Sequence, residues 1–174
     1  MALAVCLLFD ARTERALRLL WQRLEDAGVP TLLSHTHGQH VPHLSYAVLR
    51  QFDVEQVREA VEGLPDGGPV SLHFDALGLF RRSRAWLVPG VAASVLVRQE
   101  RVVAAVQETG AELHLHYRPG FWVPHCSVAP RVRRDSLATV AAAVYGILPL
   151  DAVANRAALV DSSTGQRWPL DRLP

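Results

Sequence analysis

Hydrophobic and polar positions along this chain follow two different periods, and together they predict an α+β fold. Residues 2–9 form an unbroken apolar run, which is typical of a buried strand. Residues 11–27 carry apolar side chains three and four positions apart, which is typical of a helix with one buried face. Asp10 is a residue type that caps such a helix, and Gly28 is a type that ends one.

The rest of the chain continues with the same two kinds of element. Further helices are predicted at 53–63, 91–108 and 135–145. Further strands are predicted at 31–37, 41–49, 70–80, 85–88, 111–117, 122–129, 152–160 and 166–170. Each half of the chain therefore predicts the same order: strand, helix, two strands, helix, strand.

A short motif is written twice. The sequence VPHLS at residues 41–45 recurs as VPHCS at residues 123–127, with four of five positions identical and a constant spacing of 82 residues. Gly110, which should end a helix as Gly28 does, follows Gly28 at the same spacing. The repeat is therefore wider than the motif, and it indicates an internal duplication.

The duplication predicts a single domain over residues 1–174, composed of two pseudo-symmetric lobes at roughly 1–82 and 83–174. Each lobe is expected to be a mostly antiparallel sheet with packed helices. Binding sites are common at interfaces between such units. We therefore expect a central cleft between the lobes, lined by both motif strands.

Each motif carries one histidine and one serine two positions apart. Side chains alternate along a strand, so His43 and Ser45 share one face, as do His125 and Ser127. Two such pairs facing each other provide two groups for proton transfer and two hydroxyls for hydrogen bonding. The symmetric motifs do not indicate which histidine is the acid and which is the base.

Composition excludes several enzyme classes. Among 174 residues, 49% are hydrophobic and 20% charged, and the formal net charge of +1 gives no strong overall field. The sequence contains no lysine, which excludes lysyl intermediates and the lysine-containing phosphate loop. The two cysteines, Cys6 and Cys126, suit a reducing cytoplasm, and the apolar start is too short for a signal peptide or a membrane span.

The motifs resemble those of the 2H phosphoesterase superfamily, in which His, an apolar residue and Thr or Ser occur twice. Residues 43–46 (HLSY) and 125–128 (HCSV) match that pattern. More narrowly, the chain resembles the 2′-5′ RNA ligase family, or RNA 2′,3′-cyclic phosphodiesterases, through residues 117–125 (YRPGFWVPH) before the second motif. It differs in having Ser at both hydroxyl positions and Pro130 where several relatives carry a basic residue; Arg131 is nearby.

The resemblance implies hydrolysis of a 2′,3′-cyclic phosphodiester, on an RNA end or a nucleotide, to a 2′-phosphomonoester, and the reverse 2′-5′ joining reaction. His43 and His125 would be the catalytic acid and base, because imidazole is available in both protonation states near neutrality. Ser45 and Ser127 would bind phosphate oxygens. This scheme needs no cofactor, no metal, no membrane and no obligate protein partner.

Other candidates have simpler interpretations. Tyr117, Arg118 and Trp122 could bind substrate by stacking and charge, but core packing and a solvated turn explain them equally well. The histidines at 35, 37 and 40 are more typical of a polar loop than of a zinc site. The arginines at 81, 82 and 84 are typical of a solvated connection.

Two competing functions remain open from the sequence. The first is a noncatalytic module that holds a nucleotide or RNA end between the lobes. The second is a metal-dependent hydrolase that uses the histidines at 35, 37, 40 and 43. Loss of activity in chelator would favour the second.

Overall fold

The structure is a computed structural model that describes residues 2–174. The described residues form the elements β1 (Leu3–Phe9), α1 (Ala11–Asp26), β2 (His43–Leu49), α2 (Val54–Glu62), β3 (Val70–Phe80), β4 (Arg84–Gly90), α3 (Ala93–Glu108), β5 (Cys126–Ala129), α4 (Leu137–Tyr145), β6 (Leu150–Asp161) and β7 (Arg167–Leu170). Single 3₁₀ turns occur at Leu115–Tyr117 and Arg134–Ser136. The predicted α+β class is confirmed.

All strands join one antiparallel sheet with the order β2-β1-β6-β3-β4-β5. Strand β7 lies off this order and pairs with the C-terminal half of β6. Exchanging β1 with β4, β2 with β5 and β3 with β6 reproduces the same order in reverse. The duplication in the sequence is therefore a pseudo-twofold in the sheet. The two motif strands, β2 and β5, are the first and last strands of this order. They nevertheless contact each other, so the sheet curves until its two edges meet.

The two halves of the chain are interleaved. Strand β3 pairs only with β4 and β6, which belong to the second half. Helix α1 packs against α4 and β5, and helix α3 packs against α2 and β2. Each motif strand is thus supported by a helix from the other half. The predicted division into lobes at about residue 82 stays a prediction.

The sheet has two different faces. All four helices pack on one face, where Leu3, Val5 and Leu7 of β1 join the main hydrophobic core. Alternate residues of β1 lie on the other face, in a small cluster without helical residues: Ala4, Cys6, Leu8, Val41, Val48, Ala158 and Val160. We call this second face the cleft face.

Helix capping follows the sequence pattern. The Asp10 carboxylate accepts a hydrogen bond from the Thr13 backbone N–H at 2.8 Å, and Gly28 follows α1 with a φ of +79°. The Asp53 carboxylate caps α2 through the Gln56 N–H at 3.0 Å. No helix within residues 2–174 is long and apolar enough to cross a bilayer.

The strand predicted at residues 31–37 is wrong, because local side-chain hydrogen bonds replace strand pairing there. One oxygen of the Glu25 carboxylate accepts from the backbone and hydroxyl of both Thr31 and Ser34, at 2.7–3.2 Å. Thr36 then adopts a positive φ of 51°. The segment is a series of turns that leads into the first motif.

The strand predicted at residues 111–117 is also wrong. Its one strand-like pairing is an isolated bridge between Leu113 and Leu49. The His114 ring accepts a hydrogen bond from the His116 N–H, and a 3₁₀ turn follows. The motif strands are shorter than predicted as well, since they begin at His43 and Cys126. A proline precedes each motif histidine and cannot donate to a sheet.

Candidate active site

Both motif strands carry a β-bulge at the same place. On β2, Ser45 lies opposite Cys6 and Ala47 opposite Val5, so the residue between them, Tyr46, has no partner. On β5, Ser127 lies opposite Trp86 and Ala129 opposite Ala85, so Val128 has none. The two extra residues are 82 positions apart, as the motifs are. A bulge sharpens the local twist and redirects the strand beyond each serine.

The two motif histidines make the same hydrogen bond. The His43 Nδ1–H donates to the Val41 carbonyl at 2.7 Å, and the His125 Nδ1–H donates to the Val123 carbonyl at 2.7 Å. A carbonyl only accepts, so Nδ1 carries the proton in both rings. Nε2 of each ring therefore remains for acid–base chemistry, in the same tautomer on both sides.

The structure brings the two histidines together. The charge of His43 contributes to the lowered pKa of His125, and the His43 backbone lies within hydrogen-bonding reach of the Cys126 thiol. Cys126 itself is buried on the helix side, as expected for a core residue behind the motif. Ser45 and Ser127 lie on the cleft face, opposite Cys6 and Trp86.

The residue opposite each motif serine differs between the halves. Cys6, fully buried, places its Sγ 3.6 Å from the Ser45 Oγ. Trp86 takes the equivalent place beside Ser127, with its ring 5.7 Å from the His125 ring, and Phe80 lies 4.9 Å from His125 on the same side. One motif therefore faces a sulfur and the other faces two aromatic rings.

These neighbours move the two imidazole pKa values in opposite directions. Burial lowers the pKa of His43, but the Cys6 sulfur and the Val41 carbonyl outweigh it and raise the pKa to about 9. Burial lowers the pKa of His125, the Val123 carbonyl offsets part of this, and the charges of His43 and Arg84 lower it further. Near neutrality His43 is protonated and His125 is neutral.

The three other predicted binding residues occupy different positions. Burial raises the pKa of the Tyr117 phenol, which lies near Cys6, Ser45 and Arg84. The Trp122 indole N–H donates to the Ser45 carbonyl at 3.1 Å, and its ring packs edge-to-face on Tyr46. Trp122 therefore supports the first motif from the second half. Arg118 is exposed at a turn.

Two supporting residues were not identified in the sequence. The buried Gln99 of α3 donates its amide to the carbonyls of Tyr46 and Tyr117, at 3.1 and 2.8 Å, and so joins the first bulge to the Tyr117 turn. The Trp21 indole N–H of α1 donates to the Ser127 carbonyl at 3.3 Å, as Trp122 does to Ser45. A buried glutamine on the apolar face of a helix was the one available signal.

The loop histidines form a stack rather than a metal centre. The His37 and His40 rings are 4.2 Å apart, and the His35 and His40 rings are 5.9 Å apart. Burial, His37, His43 and His35 lower the pKa of His40 to about 4. In the part of the chain that the structure describes, no group of three or more His, Cys, Asp or Glu side chains is arranged to hold a metal ion.

An open cavity of about 620 Å³ lies away from both motifs. It is lined by residues around the start of α1, the end of β4 and the β3–β6 pair, including Asp10, His73 and Asp151. His73 donates to Asp151 at 2.7 Å, but this cavity contains no second imidazole and no motif serine. The paired histidines, rather than cavity size, identify the candidate site.

Comparison with known proteins agrees with this fold. A family model described as the 2′-5′ RNA ligase superfamily matches residues 13–166. No curated protein matches the chain in sequence. A solved phosphoesterase is similar to it at 16% identity and a TM-score of 0.60, with 98% of this chain and 95% of that chain covered.

Two further solved structures have the same fold. E. coli LigT complexed with 3′-AMP shares 15% identity at a TM-score of 0.61, with coverage of 98% and 95%. Kluyveromyces marxianus Usb1 with uridine monophosphate shares 13% at a TM-score of 0.52, with coverage of 99% and 98%. These likenesses establish the fold, and the family model spans most of the chain. The chain belongs to the 2′-5′ RNA ligase superfamily of 2H phosphoesterases.

Proposed function

We propose that this protein hydrolyses a 2′,3′-cyclic phosphodiester, on a nucleotide or an RNA end, to a 2′-phosphomonoester. Membership of a phosphoesterase superfamily supports phosphoester chemistry in general. The observation that carries the finer proposal is the pair of equivalent imidazoles, each fixed through Nδ1 to a carbonyl two residues earlier. Two imidazoles whose Nε2 atoms are not used by these carbonyls can serve the entering and leaving oxygens of one phosphorus.

The opposite pKa shifts support one assignment of the two proton transfers. His125, neutral near pH 7, takes a proton from water while the water oxygen forms a bond to phosphorus. The bond from phosphorus to the ribose 3′ oxygen breaks, and protonated His43 gives its proton to that oxygen. The phosphate remains on the 2′ oxygen. Each well-placed proton transfer contributes roughly 10²- to 10⁴-fold in rate.

The motif hydroxyls and Tyr117 account for phosphate binding in this proposal. Ser45 and Ser127 each lie two residues beyond a catalytic histidine, on the cleft face. Their hydroxyls can donate to the nonbridging oxygens, where negative charge increases in the transition state. The Tyr117 phenol stays protonated, because burial raises its pKa, and so provides a further donor beside Ser45.

A panel of 2′,3′-cyclic nucleotides, assayed with and without chelator, tests the proposal. We expect turnover to a 2′-phosphomonoester, identified by ³¹P NMR, at equal rates in both conditions. Binding without turnover would support the noncatalytic module instead. Loss of turnover in chelator would support the metal-dependent hydrolase.

A further inference from the structure

A row of three paired residues on the cleft face leads from each motif serine to the middle of the sheet. In the first half the row consists of Ser45, Cys6 and Ala158, on β2, β1 and β6. In the second half it consists of Ser127, Trp86 and Gly78, on β5, β4 and β3. The small cysteine thus has an alanine neighbour, whereas the large indole has a glycine neighbour. The two rows are equivalent in position but different in shape.

Gly78 leaves the space that the Trp86 indole occupies. A Cβ atom built on Gly78 would lie less than 3.0 Å from the Cδ2, Cε2 and Cζ2 atoms of the indole. The indole therefore lies directly against the Gly78 backbone. Gly78 does not have a positive φ, so its backbone conformation does not require glycine. The missing side chain is the feature that this site uses.

Trp86 and Phe80 form a stacked pair that contacts His125 rather than the core. Their ring centroids are 4.5 Å apart, with an angle of 17° between the ring planes. Both rings are steeply inclined to the His125 ring, at 71° for Trp86 and 87° for Phe80. Within residues 2–174, neither ring belongs to the main hydrophobic core or to the cleft-face cluster. We call Trp86 and Phe80 the aromatic wall.

The indole N–H of Trp86 is buried without a hydrogen-bond partner among residues 2–174. An unpaired buried donor is unfavourable, so its presence needs an explanation. Core packing does not provide one, because Trp86 lies outside both hydrophobic clusters. The size of the indole does, since the ring extends from the Gly78 backbone to the neighbourhood of the His125 ring.

We propose that Gly78 and Trp86 are positioning residues for His125: the glycine admits the indole, and the indole, together with Phe80, fixes the imidazole and excludes water from one side of it. This inference rests on the proposed function, in which His125 is the base. The hydrogen bond from Nδ1 to the Val123 carbonyl holds one edge of the imidazole. Packing against the aromatic wall restrains the rest of the ring, as a precise site requires.

The aromatic wall also fits the electrostatics of His125. Burial is the largest cause of its lowered pKa, the Val123 carbonyl opposes this effect, and the charges of His43 and Arg84 add to it. The two rings supply part of the burial, while the carbonyl and both charged groups remain when the wall is altered. Opening the wall should therefore hydrate the imidazole and raise the pKa of His125 toward its ordinary value of 6.5.

NMR titration of the histidine rings tests the inference without any assay of activity. His125→Gln identifies the His125 signals. Gly78→Ala and Trp86→Leu should each raise the pKa of His125. Gly90→Ala is the matched control on β4, since a Cβ atom there meets nothing closer than 3.6 Å, and it should leave the pKa unchanged. No change in the first two variants, or a fall that shows the rings binding the imidazolium, would overturn the inference.

The rate of 2′,3′-cyclic nucleotide hydrolysis gives a second measurement. Gly78→Ala should lower kcat by up to about 10²-fold with KM little changed, because a displacement of about 1 Å can cost that much. The same change should have little effect in the Trp86→Leu background, which has no indole for the new Cβ atom to displace. Equal losses in both backgrounds would overturn the inference. The expected NMR shifts in a protein that hydrolyses no cyclic phosphate would overturn the proposed function alone.

Discussion

At the scale of single residues, the two halves of the site differ in the neighbour of each motif serine. Cys6 and Trp86 occupy equivalent places on β1 and β4, yet one is a sulfur beside His43 and the other an indole beside His125. Two imidazoles in different surroundings acquire different pKa values, and this difference lets one act as the acid and the other as the base. The duplication supplies two imidazoles, and Cys6, which has no counterpart in the second half, raises the pKa of only one of them.

Cys6→Ala tests this division. Deprotonation of His43 should set the alkaline limb of the kcat/KM–pH profile near pH 9. Without the sulfur, only the Val41 carbonyl opposes the effect of burial on the pKa of His43, so the limb should move toward the ordinary histidine value of 6.5. Cys126→Ala, which removes the other buried cysteine, should leave the limb in place. An unchanged limb in Cys6→Ala would show that the sulfur does not set the pKa of His43.

The acid–base difference was not predictable from the sequence. The motifs are nearly identical, and Cys6 lies 37 residues before His43 in the chain, so only the pairing of β1 with β2 brings them together. The histidines and serines, by contrast, were predictable, because a repeated motif with period-two spacing identifies them without knowledge of the fold. The arginines at 81, 82 and 84, for which the sequence predicted a solvated connection, are all exposed.

At the scale of elements, buried hydrogen bonds hold the bulges in place. Gln99 is the clearest example, since its single amide satisfies two carbonyls from separate segments. In the loop before β2, part-buried and exposed hydrogen bonds to Glu25 organise the turns. The Glu25 bonds replace the strand pairing that the hydrophobic pattern predicted at residues 31–37, because a pattern cannot reveal a side chain that competes with the backbone.

Gln99→Leu should destabilise the protein by about 2–4 kcal/mol, because it leaves two buried carbonyls without a donor. It should also lower activity, since the bulge after Ser45 loses its support. Gln107→Leu, on the exposed side of the same helix, is the control and should change little. Denaturant titration of the three proteins measures the difference. Equal stability of both variants would contradict this role for Gln99.

The histidine stack before β2 predicts a loss of stability in acid. His40 has a folded-state pKa of about 4, whereas the unfolded chain binds a proton near 6.5. The unfolded state therefore binds more protons between these values, and stability falls as pH decreases from 6.5 to 4. His40→Gln should flatten this dependence in chemical unfolding at several pH values.

His73→Gln provides a control of opposite sign for the same experiment. Its hydrogen bond to Asp151 raises the pKa of His73, so its stabilisation is fully present below 6.5 and is lost as pH rises through the folded-state pKa. Removing His73 should lower stability by a constant amount below pH 6.5 and leave the slope of the acid loss between pH 6.5 and 4 unchanged. A parallel response of the two variants would contradict the assignment to His40.

At the scale of the whole molecule, the duplication is real but the halves are not independent. The sequence predicted the repeat, the elements of each half and the α+β class, all of which depend on local pattern. It did not predict that β3 and β6 pair across the pseudo-twofold. Choice of a strand partner is a long-range property that local pattern does not determine.

Separate expression of residues 1–82 tests this interleaving. Both sheet partners of β3 belong to the second half, so the fragment keeps only the β1–β2 pairing. A two-stranded sheet is marginal in water. We expect an unfolded fragment by circular dichroism, and recovery of structure on mixing with residues 83–174. A cooperatively folded single fragment would contradict the interleaving.

The central claim is that His43 and His125 act on one phosphodiester, and the rate of 2′,3′-cyclic nucleotide hydrolysis by the two single alanine variants measures it most directly. We predict that each variant loses at least roughly 10²-fold in kcat, the lower bound for a positioned proton transfer, while the melting temperature stays within a few degrees of the parent. Undiminished hydrolysis in either variant, with the fold intact, would contradict the account.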